Sequence, residues 1–404
     1  MQHKIAFLIA DGMGDYPVAE LGGRTPLQAA TTPNMDQLAS RGVIGRCRSI
    51  PPNLPPGSDI ANMALFGYDP RTFHTGRGPI EAAAKGLDLT PEDIVYRLNL
   101  CTVSELNPAG RMLDYCAGHI ETDRAARLIE RLQDELGSKR FRFETGVQYR
   151  HLLIQKGGRN SQEASLAINP PHDILGASLA EDLRTFSDSP ELEAIVYGAA
   201  DILSHPSNDS QANAVWPWGQ GAALHLPDFT QTFGLRGAVI SAVDLVKGLG
   251  RAAGCEVIEV PGATGLLQTN YRGKMEAARD FLTRGDFVYL HLEGPDECGH
   301  AGNAREKIEA IERFDSEIVG PLLPALQELQ AACLIACDHF TPVSVRTHTP
   351  EPVPFLFWHP GPPFGPSSGA QSFSEAQAEI SDLFVDTGFE LLPWIMNTLK
   401  GQRQ

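Results

Sequence analysis

At 404 residues, with 42% hydrophobic and 21% charged side chains and no low-complexity tract, the sequence has a soluble globular composition. It is too long for one hydrophobic core, so two domains are expected. A formal charge of −17 argues against nucleic acid and anionic membranes as partners, whereas a small phosphorylated metabolite needs only a local basic pocket. The seven cysteines form no CxxC pair, which argues against a disulfide framework or a cysteine zinc site. The first apolar run, 5–10, is too short for a signal peptide, and no run reaches the length of a membrane span. The expected location is cytoplasmic.

Lys4–Ala10 (KIAFLIA) is continuously apolar, as a buried strand of a parallel sheet is. It stops at Asp11-Gly12-Met13-Gly14, an acid followed by glycines that permit a tight turn. Thr32-Pro33-Asn34 predicts a helix over 35–40, with proline near its first turn. The stretch 49–59 (SIPPNLPPGSD) cannot be a helix interior, and it predicts a rigid turn into a helix over 60–65. Ser58 at that entry is either a simple N-cap or a hydroxyl set beside free N–H groups that also suit a phosphate. A second glycine-rich loop, His74-Thr75-Gly76-Arg77-Gly78-Pro79, offers Arg77 to an anion.

Beyond it the texture changes. Strands over 95–103 and 111–115, an amphipathic helix over 122–136, a strand pair over 140–143 and 149–155, and a helix over 191–203 predict a small α+β module with an antiparallel sheet. It is placed at 92–206, inserted into a larger α/β core made of 1–91 and 207–404. In that core, strands are expected over 238–245 and 255–260, with a helix over 271–284 and a buried strand over 286–292 (DFVYLHL). This last strand runs into EGPDECGH, where Asp296 and His300 stand four apart. That spacing puts them on one helix face, or lets both reach one ion from a loop. A long amphipathic helix over 304–329, interrupted at Pro321 and Pro324, leads to the apolar strand Ala331–Ala336 (AACLIA). It delivers CDHFTPVSVRTH, with Asp338 and His339 adjacent and His348 nine residues on. The tail, 371–399, reads as a pair of surface helices. None of the glycine runs makes a dinucleotide fingerprint.

Three strand ends therefore hold Asp11, Asp296 with His300, and Asp338 with His339 and His348, while a Pro/Gly turn holds Ser58. In a parallel sheet the C-terminal strand ends share one edge, so these residues can converge. Three carboxylates and three imidazoles are ligands of borderline divalent metals and exceed the needs of one ion, so they suit two. Two ions and a hydroxyl nucleophile are the apparatus of phosphoryl transfer.

The segments DGMGD, GGRTPLQAATTPNMDQLA, PPGSDIANMALFGYDP, TGRGPIEAA, PDECGH and DHFTPVSVRTH closely resemble the archaeal-type cofactor-independent phosphoglycerate mutases of the alkaline phosphatase superfamily. The likeness runs along nearly the whole chain. It implies an alkaline-phosphatase-like α/β core, its mostly parallel sheet flanked by helices, with 92–206 as an inserted lid. It further implies interconversion of 3-phosphoglycerate and 2-phosphoglycerate through a phosphoserine on Ser58, the glycerate turning under the lid between two transfers. Carried over by motif, Asp11, Ser58, Asp338 and His339 would hold one metal and Asp296, His300 and His348 the other. Manganese or zinc is implied first and magnesium after them. Arg77, His119, Lys247 and Asn62 would meet the substrate.

The pattern is not followed throughout. Trp218 in NAVWPWGQG stands where the archaeal mutases tend to have arginine, and His119 in YCAGH where arginine also occurs. An arginine lost from an anion site is not a conservative change. Tryptophan and histidine there resemble a bacterial branch of the same family proposed to act as homoserine kinase. A phosphotransferase for a small hydroxy-amino acid, or a metal-dependent phosphatase, is therefore the alternative. Compensation by Arg77, Arg97, Lys247 and Lys274 would keep the mutase reading.

Overall fold

The computed structural model describes residues 3–361 and 370–401. Thirteen strands run through the described residues: β1 (Lys4–Ala10), β2 (Val43–Cys47), β3 (Ile94–Val103), β4 (Met112–Asp114), β5 (Phe141–Val147), β6 (Arg150–Gln155), β7 (Ala214–Ala222), β8 (Gly237–Ile240), β9 (Glu256–Val257), β10 (Phe287–Leu292), β11 (Ala331–Ala336), β12 (Val353–Trp358) and β13 (Phe384–Val385). The chain divides into two compact units, 1–74 with 226–404, and 75–225. The second is wider than the module at 92–206, because the helix Arg77–Ala84 packs on β3 and β7, and β7 pairs with β3.

The first unit is an α/β unit around one eight-stranded sheet, in the order β13-β2-β12-β11-β1-β10-β8-β9. Its centre is parallel. β1 pairs with β10 on one side and β11 on the other, and β10 pairs with β8 in the same sense. β12 alone runs against its neighbours β11 and β2. The central strands are buried along their length, as their unbroken apolar sequences require. Helices such as Tyr271–Arg284 and Gly320–Glu328 flank this sheet.

Several expected elements differ. The strand placed at 238–245 ends at Ile240, and Asp244–Ala252 is helical; β9 keeps two residues of the expected 255–260. The long helix over 304–329 starts at Ala304 but passes through a π-helical stretch, Phe314–Val319. The helix resumes at Gly320 and carries Pro324 in its interior. The tail holds the helices Glu375–Glu379 and Leu391–Gly401, with β13 between them adding to the sheet edge beside β2.

The second unit is an antiparallel sheet, β4-β3-β6-β5, with β7 paired to β3 and helices Thr122–Leu136 and Pro190–Leu203 packed against it. Trp216, Tyr96 and Phe186 are among its fully buried side chains. Among the described residues no helix is long and apolar enough to cross a membrane.

Candidate active site

Asp11, Asp296 and Asp338 follow the C-terminal ends of β1, β10 and β11, three strands adjacent in the order β11-β1-β10. The parallel register (Ala10 beside Leu292, Ile9 beside Ala336) brings those ends level, so one sheet edge carries all three acids. Asp296 and His300 lie on the helix Gly294–Ala301, one turn apart on one face. Ser58 is the first residue of the helix Ser58–Leu65, with Gly57 as N-cap, so it stands at the helix end where the first-turn N–H groups lack helical partners.

Two donor groups form. Asp11, Asp338 and His339 make one and Asp296, His300 and His348 the other, with the ligand atoms of each within 4.8 Å of one another. In the first, His339 Nε2 is 3.5 Å from Asp11 Oδ1, 3.5 Å from Asp338 Oδ2 and 3.0 Å from Ser58 Oγ. In the second, Nε2 of His300 and Nε2 of His348 face each other at 3.0 Å, with Asp296 3.3 and 3.5 Å away. Gly12 threads between the groups with φ +60, where a Cβ would come within 2.6 Å of both Asp296 Oδ1 and Thr341 Oγ1.

Hydrogen bonds set the ring tautomers. Thr341 Oγ1 donates its one proton to Asp296 Oδ1, so it accepts from Nδ1–H of His339, 3.2 Å away. His300 Nδ1 donates to the Arg346 carbonyl at 3.1 Å. Both rings therefore turn Nε2 towards the carboxylates, the nitrogen by which each would ligate a metal once it gives up its proton. Asp338 accepts from Gly12 N and His339 N at Oδ1 and from Asn62 Nδ2 at Oδ2, the last at 2.7 Å.

The charges are packed more tightly than protons alone accommodate. Burial, then the neighbouring Asp338 and Asp296, push the Asp11 carboxyl well above its usual range. Burial works upward on Asp296 too, but hydrogen bonds from His300 and His348 hold it well below. Asp296 in turn raises His300 to about 9 against the effect of burial. Asp11 Oδ1 is buried with no hydrogen-bond partner. An orphaned carboxylate oxygen and two imidazole Nε2 atoms 3.0 Å apart, all oxygen or nitrogen donors, fit divalent cations of the zinc and manganese type.

The other expected residues are placed as follows. Asn62 is fully buried, with its amide used on Asp338 Oδ2 and the Ser58 carbonyl and its oxygen accepting from Tyr289. It holds Asp338 and leaves no polar atom for a substrate. Lys247 pairs with Glu259 at 2.7 Å. Arg77 and His119 belong to the second unit; Arg77 opens a helix there, and His119 has a positive φ of 53. In the same unit Trp218 donates from Nε1 to Asn99 Oδ1, and the Arg97 guanidinium lies 4.4 Å over its ring. Arg97 is ion-paired with Glu81. Burial lowers its pKa, as do Arg77 and Arg150 nearby.

Sequence reasoning missed Thr341, Tyr289, His291 and Glu293, and offered Lys274 only as a cation for the substrate, whereas it is wholly buried. Lys274 and Glu293 form a buried ion pair at 2.8 Å, and His291 is wholly buried beside them. The available signal was the alternation of polar Tyr289 and His291 in an otherwise apolar strand, which puts both on one face of the sheet.

Residues 39–208 match the model of the 2,3-bisphosphoglycerate-independent phosphoglycerate mutase family. A Geobacter sulfurreducens protein named as a probable 2,3-bisphosphoglycerate-independent phosphoglycerate mutase is 42% identical over 403 residues, 98% of this chain and 100% of its own. A Methanosarcina acetivorans protein of that name is 45% identical over 365 residues, 88% of this chain and 90% of its own. Among solved structures, the cofactor-independent phosphoglycerate mutase of Thermoplasma acidophilum superposes with TM-score 0.66 at 27% identity, covering 98% of this chain and 99% of that one.

Proposed function

This chain belongs to the 2,3-bisphosphoglycerate-independent phosphoglycerate mutase family, and from that premise we propose that it interconverts 3-phosphoglycerate and 2-phosphoglycerate through Ser58. The observation that carries the assignment is Ser58 Oγ set 3.0 Å from His339 Nε2 at a helix start, beside two donor groups joined through Thr341. Asp11, Ser58, Asp338 and His339 would hold one divalent ion and Asp296, His300 and His348 a second, manganese or zinc before magnesium. Such ions, when bound, lower the pKa of a neighbouring hydroxyl and offset phosphoryl charge.

The chain's own groups do the rest. Ser58 Oγ loses its proton as it attacks phosphorus, the bond from phosphorus to the substrate's ester oxygen breaks, and that oxygen takes up a proton to become a hydroxyl. The first-turn N–H groups of Ser58–Leu65 meet the phosphoryl oxygens. Asn62 keeps Asp338 aligned. Lys247 in the first unit, and Arg77 and His119 in the second, are the residues proposed to bear on the substrate's negative charges. The glycerate then turns, its other hydroxyl loses its proton as it attacks the phosphoserine, the bond from Ser58 Oγ to phosphorus breaks, and Oγ takes up a proton. Water must be kept out throughout, or the phosphoserine hydrolyses.

Manganese-loaded protein should convert 3-phosphoglycerate to 2-phosphoglycerate, and Ser58→Ala should not. Quenched turnover should leave one phosphoryl group on a peptide containing Ser58. Release of free phosphate without 2-phosphoglycerate would leave a phosphatase, and transfer to homoserine would leave the kinase-like alternative.

A further inference from the structure

Below the first donor group lies a buried polar chain that the mutase mechanism does not use. Lys274 Nζ donates to the His291 carbonyl at 2.9 Å and to Glu293 Oε2 at 2.8 Å. Glu293 Oε1 accepts from Ser241 Oγ at 2.7 Å, from Ala242 N at 3.0 Å and from His291 Nδ1 at 3.2 Å. A carboxylate can only accept, so Nδ1 carries a proton and the ring is fixed in orientation. Its far nitrogen, Nε2, lies 3.4 Å from Asp11 Oδ2, is buried and has no hydrogen-bond partner. Lys274 and His291 are wholly buried, and Ser241 and Glu293 each expose 3%.

The consequence falls on Asp11. Its carboxylate has two oxygens, of which Oδ2 faces His291 and Oδ1 faces His339. With Oδ2 opposed by a ring that cannot turn, Oδ1 is the oxygen presented to the donor group. We infer that His291, braced by Glu293, Lys274 and Ser241, is a positioning residue that sets the Asp11 carboxylate for metal binding. This rests on the metal assignment above. The brace draws on the end of β8, the end of β10 and the helix Tyr271–Arg284, so it is built into the sheet itself. Partners of this kind govern metal affinity by about 10–100-fold when removed.

Two substitutions separate the two nitrogens of the ring. His291→Asn places its amide nitrogen where Nδ1 was, keeping Glu293 satisfied but losing the contact with Asp11. His291→Gln places a nitrogen where Nε2 was and keeps the Asp11 contact. The full-length chain, stripped with chelator, is titrated with manganese(II) and the free ion read by its paramagnetic resonance signal, alongside the melting temperature of the stripped protein. The expected result is a loss of about 10–100-fold in manganese affinity for His291→Asn, a smaller loss for His291→Gln, and unchanged melting of the stripped His291→Asn protein. A purely structural role would lower melting and leave affinity alone, and native affinity in His291→Asn would overturn the inference. Loss of one whole equivalent of manganese would also overturn it, making His291 a ligand. His339→Ala serves as the reference: if it too leaves binding unchanged, the metal assignment itself fails, whereas a defect there beside a normal His291→Asn sinks only the positioning role.

Discussion

The loops bearing the two donor groups are tied by one buried ion pair, and cutting it is a sharp test of how the site is held. Lys307 and Asp15 are both wholly buried and paired at 2.7 Å. Lys307 Nζ also donates to the carbonyls of Gly14 at 3.1 Å and Thr341 at 2.9 Å, so one ammonium joins the loop after β1 to the loop after β11. Lys307→Met keeps the volume but leaves the Asp15 carboxylate with only the N–H groups of Tyr16 and Val343. Removing one member of a buried pair costs about 3–5 kcal/mol, because the charge left behind is uncompensated. For a unit of this size about 2–4 °C accompanies each kcal/mol, so the stripped protein should melt about 6–20 °C lower. Stripping matters, since bound metal would add its own stabilisation. Asp15→Asn with Lys307→Met removes the orphaned charge and should recover part of the loss. Thermal melts read both. The reasoning fails if Lys307→Met melts within about 2 °C of the native protein, or if the double variant melts no higher than the single one.

Asn62→Ala should lower kcat by about 10–100-fold with little change in KM, because it frees Asp338 rather than a substrate contact; a rise in KM alone would return Asn62 to the substrate. His348→Ala should lose one bound manganese while keeping the other, and chelation should abolish turnover until manganese returns; full metal content in that variant would refute two separate groups. Burial raises the Glu375 carboxyl from its usual 4.5 to about 7 against hydrogen bonds from Thr25 and Asp15 and the charge of Lys307. With the folded pKa above the unfolded one, its contribution is fully present below pH 4.5 and is lost as pH rises through about 7. Glu375→Gln lacks this term, so relative to the native protein it should gain about 1–3 kcal/mol between those limits. Urea melts at both pH values measure the difference, and an equal gap at each would count against it.

The centre of the first unit was legible because its strands are unbroken apolar runs that end in acids. KIAFLIA, DFVYLHL and AACLIA are β1, β10 and β11, and their order in the sheet brings their ends together. The outer strands were not legible, because each carries a residue that argues against a strand. β12 contains Pro354, which lies just beyond the Phe355–Trp358 stretch paired with β11, so its missing N–H is not needed there. β7 contains Pro217 and pairs only with β3, an edge position where proline is tolerated. β2 includes Gly45, set where a Cβ would meet the Phe355 ring at 2.7 Å.

At the site, motif spacing identified the atoms that can ligate but not the protons that decide whether they do. An imidazole four residues from a carboxylate is a ligand only if its other nitrogen is engaged, and nothing in PDECGH or DHFTPVSVRTH says by what. The fold answers from outside the ligand set. His300 is fixed by the Arg346 carbonyl and His339 by Thr341, whose own proton goes to Asp296 in the opposite group. Thr341 thereby couples the two groups, since freeing its hydroxyl from Asp296 would also release the tautomer of His339. Thr341→Val, close in shape but without the hydroxyl, should therefore weaken manganese at both groups by about 10-fold or more, whereas a defect confined to the Asp296 group would show that His339 keeps its tautomer unaided.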